Sequence, residues 1–230
     1  MNNKKGYLVN LFAVATLSIL LSTSASSTAA EIPDHVRVKA AVDALFPEEQ
    51  FNVWEFVKGD LNGDGIDDFA AVLTSHREEG ERGERLVILA GQKNGSYTVL
   101  AASDDFCRVR YHYNLEIQNK SLLVTGYANL HGSNFSLQFR YNSTRKDLEL
   151  IGENHIDSND EERSFYRQSI NYATDKIILS RKKNKLYKEV EIKMVEHRLA
   201  GLQGFNCRSY SDGIKELQFY INEDFSFKQW

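Results

Sequence analysis

Apolar residues recur at every second position in several segments of this chain. Phe135, Leu137, Phe139 and Tyr141 alternate with Ser136, Gln138 and Arg140, the period of a strand with one buried and one wet face. The pattern predicts strands over Asn52–Val57, Phe69–Thr74, Leu86–Ala90, Tyr97–Ala101, Arg108–Tyr113, Leu115–Ile117, Ser121–Gly126 and Phe135–Tyr141. It continues over Leu148–Gly152, Ser169–Tyr172, Lys176–Ser180, Tyr187–Met194, Glu216–Ile221 and Phe225–Lys228. Leu86-Val87-Ile88-Leu89-Ala90 is apolar on both faces and reads as a central, covered strand. Asn94-Gly95 is a hairpin signal, and Asn119-Lys120 and Asn142 to Lys146 are further turns. One segment breaks the period: Val36, Val38, Ala41, Val42 and Leu45 fall at near-helical spacing, with Asp34 placed as N-cap and Phe46-Pro47 as the stop. The expected fold is therefore mainly β, an antiparallel β-sandwich or curled sheet with one short N-terminal helix.

Residues 1–30 stand apart. They contain Lys4 and Lys5 but no Asp, Glu or Arg, then an apolar stretch from Tyr7 to Leu21 and a small-residue tail ending in Ala29-Ala30. This is the build of a secretory signal peptide, with an uncleaved anchor as the alternative. The expected product is periplasmic or secreted and has no membrane insertion after cleavage. Its 200 residues form one β-rich domain over 31–230, since no long break in composition divides them. The acidic run Asp157 to Glu162 reads as a solvated loop or as a join between subdomains.

Composition then narrows the function. The whole chain has 28 Lys+Arg against 32 Asp+Glu, net -4; without Lys4 and Lys5 the balance is 26 against 32, or -6. A nucleic-acid partner is not expected, because binding phosphates needs a basic surface. The one basic cluster, Arg181 to Lys185, reads as a hairpin tip. Export also changes the meaning of Cys107 and Cys207. In an oxidising compartment two cysteines in one domain predict a disulfide, with buried thiols or a nucleophile as the other readings.

Candidate chemistry is concentrated in Gly59-Asp-Leu-Asn-Gly-Asp-Gly-Ile-Asp-Asp-Phe-Ala-Ala-Val-Leu73. With Asp60 as position 1, side-chain oxygens fall at 1, 3, 5 and 9 (Asp60, Asn62, Asp64 and Asp68). Gly65 stands at 6, and the Ile66 carbonyl is placed as a further ligand. Alternate residues of a tight loop turn inward, and an all-oxygen donor set favours Ca²⁺ over softer metals. Position 12 is Ala71 rather than a bidentate Glu, so water or another carboxylate, with Asp67 nearest, must complete the shell. An apolar strand follows in place of an EF-hand's exit helix. The segment 51–75 is thus expected to be a calcium-clamped hairpin, with a structural ion and an affinity of about 10⁻⁴ to 10⁻³ M.

Gly59 to Leu73 resembles the calcium loops of FG-GAP and VCBS-type repeats, where Ca²⁺ is held between two antiparallel strands. No second Asp-x-Asn-x-Asp-Gly occurs in the chain, so a propeller of repeated blades is not implied. Together with the later Arg85-Leu-Val-Ile-Leu, Phe139-Arg140-Tyr141, Leu150-Ile151-Gly152 and Ser169-Ile170-Asn171-Tyr172 segments, the loop is similar to secreted bacterial proteins carrying a single such motif. That resemblance implies a fold and a metal but no activity.

Motifs for established catalytic sites are missing. The sequence has no Gly-x-Ser-x-Gly, no His-Glu-x-x-His and no phosphate-binding glycine loop, and its six histidines (35, 76, 112, 131, 155 and 197) are scattered. The leading expectation is an exported, non-enzymatic binding module whose partner is a protein or glycan. The alternatives are a secreted hydrolase with a carboxylate pair not visible in the sequence, and an inhibitor or immunity protein against an exported toxin.

Overall fold

The computed structural model describes residues 32–76, 82–103, 106, 111–128, 134–159, 164–194, 201–203, 205, 219–221 and 227–229. The signal segment, Cys107 and Cys207 lie outside these residues. Pro33–Trp230 forms one compact unit. No helix among the described residues is long and apolar enough to cross a membrane, which says nothing of β-barrels.

The described residues are mainly β, with two large antiparallel sheets and one short helix, as in a β-sandwich. The smaller sheet has the order β1-β2-β3-β4 and the larger the order β11-β10-β9-β8-β7-β6-β5. Each strand is therefore hydrogen-bonded to its neighbour in sequence, so hairpin turns set most of the topology. The smaller sheet comprises β1 (Phe51–Gly59), β2 (Asp68–His76), β3 (Arg82–Gly91) and β4 (Tyr97–Ala102). The larger begins with β5 (Tyr111–Gln118), β6 (Ser121–Ala128), β7 (Asn134–Asn142) and β8 (Asp147–Asn159). It continues through β9 (Ser164–Asn171), β10 (Lys176–Lys183) and β11 (Leu186–Lys193); β12 (Phe219–Ile221) and β13 (Phe227–Gln229) pair separately.

Helix α1 (Asp34–Leu45) covers one face of the smaller sheet. Val38 and Val42 pack with Phe69, Ala71 and Leu73 of β2 and with Val87 and Leu89 of β3. The alternate residues Ala70, Val72, Leu86 and Ile88 face the larger sheet, against Leu115, Leu122, Val124, Leu137, Phe139, Leu148 and Leu150. This double coverage explains why β3 is apolar on both faces. Further along the larger sheet Ile170, Ile177, Leu179 and Met194 form a second apolar cluster. A cross-sheet bond from the Tyr113 hydroxyl to Glu84 Oε2, 2.6 Å, satisfies a carboxylate that the packing buries.

Several expectations are corrected. Asp34 is not the N-cap: Pro33 holds that position and no side chain caps the helix. Asp34 instead bonds Lys58 at 2.8 Å, which ties the first turn of α1 to β1. Leu115–Ile117 and the end of Arg108–Tyr113 belong to one strand, β5. The acidic run is not a loop from its start, because Asp157 and Ser158 pair with Tyr166 and Phe165 of β9. Arg181 to Lys183 are likewise strand residues, with the turn confined to Asn184 and Lys185.

Candidate metal centre

Residues 60–67 join β1 to β2, and their backbone is shaped by their own polar side chains. Asp60 accepts from the Gly63 and Gly65 N–H groups at 2.6 and 3.1 Å. Asn62 Oδ1 accepts from Asp64 N–H at 2.9 Å, and Asp64 Oδ1 from Ile66 N–H at 2.8 Å. These are the short Asx contacts that Asp and Asn make in turns. Gly63 and Gly65 both have φ of 83°, a left-handed conformation that explains glycine at these positions.

Asp68 differs from the other acids because it is fully buried. Its Oδ2 accepts from Leu61 and Asn62 N–H at 2.9 and 3.2 Å, and its Oδ1 from Gly91 N–H at 3.0 Å. Burial raises its pKa and the three N–H donors pull the other way. Asp68 thus fastens the loop to the end of β3. Gly91 allows this approach, since a Cβ there would overlap the Asp67 carbonyl oxygen. On the other side Leu61 enters the core between the sheets, and Gly59 packs against Ile117 of β5. Lys120, in the β5–β6 turn, carries its ammonium over Gly63, where a Cβ would lie 2.9 Å from Nζ.

Among the described residues, no three His, Cys, Asp or Glu side chains are grouped to hold a metal. The donor set fits a hard cation only when Asn62 and the Ile66 carbonyl are counted with the carboxylates. Asp60 and Asp64 lie at the exposed rim, and an oxygen that accepts one N–H keeps a second lone pair. Asp68 Oδ1, which accepts only from Gly91, keeps a lone pair too, but the residue is fully buried and holds the loop shape from within.

A second group of polar residues escaped sequence reasoning. Ile151 is an extra residue in β8: Phe139 pairs with Leu150, while Gln138 pairs with Gly152. This bulge exchanges the two faces of the strand. Glu153 and His155 therefore follow Leu148 and Leu150 onto the inner face, opposite Leu137 and Phe135. Glu153 is 2% exposed. Tyr172 and Gln168 stand close enough to favour its anion, yet neither completes a hydrogen bond to the carboxylate oxygens. Its pKa is pushed up to about 8, first by burial. His155 Nε2, also buried and without a hydrogen bond, lies 3.9 Å from Glu153 Oε2. Burial lowers the imidazole pKa against the opposing field of Asp157, and the ring stacks on Phe135. No residue spacing announced this pair, because the bulge that brings it inward is invisible in the alternation.

A depression of about 650 Å³ lies at the α1–β1 corner by Phe46, Glu49, Phe51 and Arg85. Both of its cations are already paired, Arg85 with Glu49 at 2.9 Å and Lys39 with Asp43 at 2.5 Å. Comparison of the chain with protein-family models, curated proteins and solved structures finds no match.

Proposed function

We propose that this protein is an exported, calcium-stabilised β-sandwich that acts as a non-enzymatic binding module, of the kind built around an FG-GAP or VCBS-type loop. The observation that carries this reading is the position of the Asp60–Asp68 loop. One face of it inserts Leu61 between the sheets, and Asp68 ties it to Gly91, while Asp60, Asn62 and Asp64 are left at the surface. The side chains of these three residues and the Ile66 carbonyl would hold the ion. Bound there, Ca²⁺ supplies positive charge to a crowded acidic rim and rigidifies the end of the sandwich. Export rests on residues 1–30, and the oxidising compartment gives Cys107 and Cys207 the setting for a disulfide.

Glu153 and His155 are the residues a hydrolase reading would use. A catalytic acid must touch its substrate, and the Glu153 side chain has no exposed surface, which favours binding over hydrolysis.

Thermal melting with and without calcium tests the metal. At 10 mM Ca²⁺ the expected affinity gives about 1.4 to 2.7 kcal/mol of stabilisation, or roughly 3 to 10 °C for a domain of this size. Asp60→Ala with Asp64→Ala should remove the shift. A wild-type melt indifferent to calcium and to chelator would overturn the metal assignment. For the binding role, a pulldown from envelope extract should retain a glycan or protein that chelator weakens; retention of nothing in either condition would overturn it.

A further inference from the structure

The bulge that turns Glu153 inward turns Gly152 outward, and this creates a depression of about 250 Å³ on the open face of the larger sheet. Gly152 forms part of its floor, beside Leu123, Gln138, Arg140, Ser169 and Asn171. Glu153 also borders it through the strand, but its pairing with Leu137 and Ile170 sends its side chain to the opposite face. The side chains facing the depression are therefore amide, hydroxyl, guanidinium and aliphatic, without a carboxylate.

Ser136 and Asn154 on this face are engaged, Asn154 donating to Ser136 Oγ at 3.4 Å and accepting from Arg167 at 3.1 Å, while the other polar groups keep free capacity. Among the described residues the Gln138 and Ser169 side chains have no hydrogen-bond partner, and Arg140 makes one long bond, Nε to Ser121 Oγ at 3.5 Å. Asn171 uses Oδ1 to accept from Thr174 N–H at 3.1 Å, which leaves its amide N–H₂ group to donate. A glycine inside a strand costs stability and marks a place where another molecule or backbone comes close. Among the described residues none needs the space: a Cβ on Gly152 would come no nearer than 3.4 Å to the Ile170 carbonyl oxygen and 3.7 Å to Gln138 Oε1.

We propose that this depression is a saccharide subsite, with Leu123 under a sugar ring and Gln138, Arg140, Ser169 and Asn171 bonded to its hydroxyl groups. A pyranose presents an apolar C–H face and a rim of groups that both donate and accept, which matches this mixture. The volume lies below the usual range for drug-sized ligands and admits one ring of a longer chain. The proposal rests on the binding-module reading and specifies its ligand class.

The test follows backbone amide signals of the isotope-labelled, calcium-loaded protein as glucose, N-acetylglucosamine or glucuronate is added to millimolar concentration. Saturable shifts at Gly152, Ser169 and Asn171 are expected with at least one sugar. Gly152→Leu, which fills the floor, and Gln138→Ala should each weaken that binding about tenfold or more. Gly152→Ala, whose Cβ fits, serves as the folding control and should melt at or slightly above the wild type. No response to any of the three sugars overturns the proposal, as does binding that survives Gly152→Leu. Equal shifts with acetate also overturn it, by reducing the site to a carboxylate contact at Arg140. The calcium melt on the same sample separates the two claims, since a calcium shift without sugar binding removes only the subsite.

Discussion

At Glu153 the fold keeps a carboxyl group out of water with neither oxygen hydrogen-bonded, and the proton is held until about pH 8. An acid with a raised pKa binds in the folded state a proton that the unfolded chain has released, so stability falls as pH rises through the interval. His155, with a lowered pKa, has the opposite trend below about pH 6.5. Between roughly pH 6.5 and 8 Glu153 acts without that opposition, and its loss should be on the order of 2 kcal/mol. Glu153→Gln keeps the shape without the charge. The difference in urea stability between variant and wild type is expected to grow in the variant's favour across that window; a constant difference would mean that Glu153 is ionised throughout. Asp68 makes a contrasting case, because its three N–H donors include two on one oxygen. Asp68→Ala strands those donors at about 1 to 3 kcal/mol for a buried unmet group, and denaturant melts should show a loss of roughly 3 kcal/mol or more. Asp68→Asn should lose less, since one oxygen still accepts while the new N–H₂ faces a donor.

At the scale of the element, the β1–β2 connection is held from three directions: Asp68 to Gly91, Leu61 in the core, and Lys120 over Gly63. Gly91→Ala should disrupt the first of these by driving a methyl group into the Asp67 carbonyl, lowering both melting temperature and calcium response. Lys120 makes a prediction of opposite sign. Its ammonium is a like charge for a cation in the loop, and exposed charge pairs contribute about 0.2 to 1 kcal/mol. Lys120→Gln should therefore tighten calcium binding by roughly 1.4- to 5-fold, measured by calorimetry. Unchanged or weaker binding would mean that the lysine side chain stays clear of the ion. The turns at this scale were legible in advance. Asn94-Gly95, Asn119-Lys120 and Asn142 to Lys146 all join paired strands, with positive φ at Gly95, Asn119, Lys120 and Lys146, because turn chemistry is local. The helix cap differs from its local signal for a related reason: Asp34 suits an N-cap, but Lys58 on β1 competes for its carboxylate, and that neighbour is distant in sequence.

For the whole molecule, a central apolar residue that joins both sheets tests the sandwich. Leu61 is 1% exposed, and Leu61→Ala should cost about 2 to 5 kcal/mol by the usual cavity effect. Calcium should still raise the melting point of the variant, because the rim carboxylates are untouched. A loss much below this range would indicate that the loop can close over the cavity. Sequential hairpins also make the topology simple, with every strand of the two large sheets beside its neighbour in the chain, so short-range turns could build most of both sheets.

Sequence alone determined the β character, the short helix α1, most turns, the doubly covered β3 and the position of the acidic loop. Each follows from the period of neighbouring side chains or from turn-forming residues, which act over a few positions. Tertiary structure decided which acids are buried and which are left at the surface. Asp68 and Asp60 are both loop acids by spacing, yet Gly91, brought in by the β2–β3 pairing, fixes only Asp68 inside. The inward pair Glu153 and His155 and the outward Gly152 depend on one bulged residue, Ile151. Simple alternation from Leu148 and Leu150 would place Gly152 and Asn154 inside. One unpaired residue reverses that assignment, because strand faces have a period of two and register is set by pairing with β7, not by the local sequence of β8.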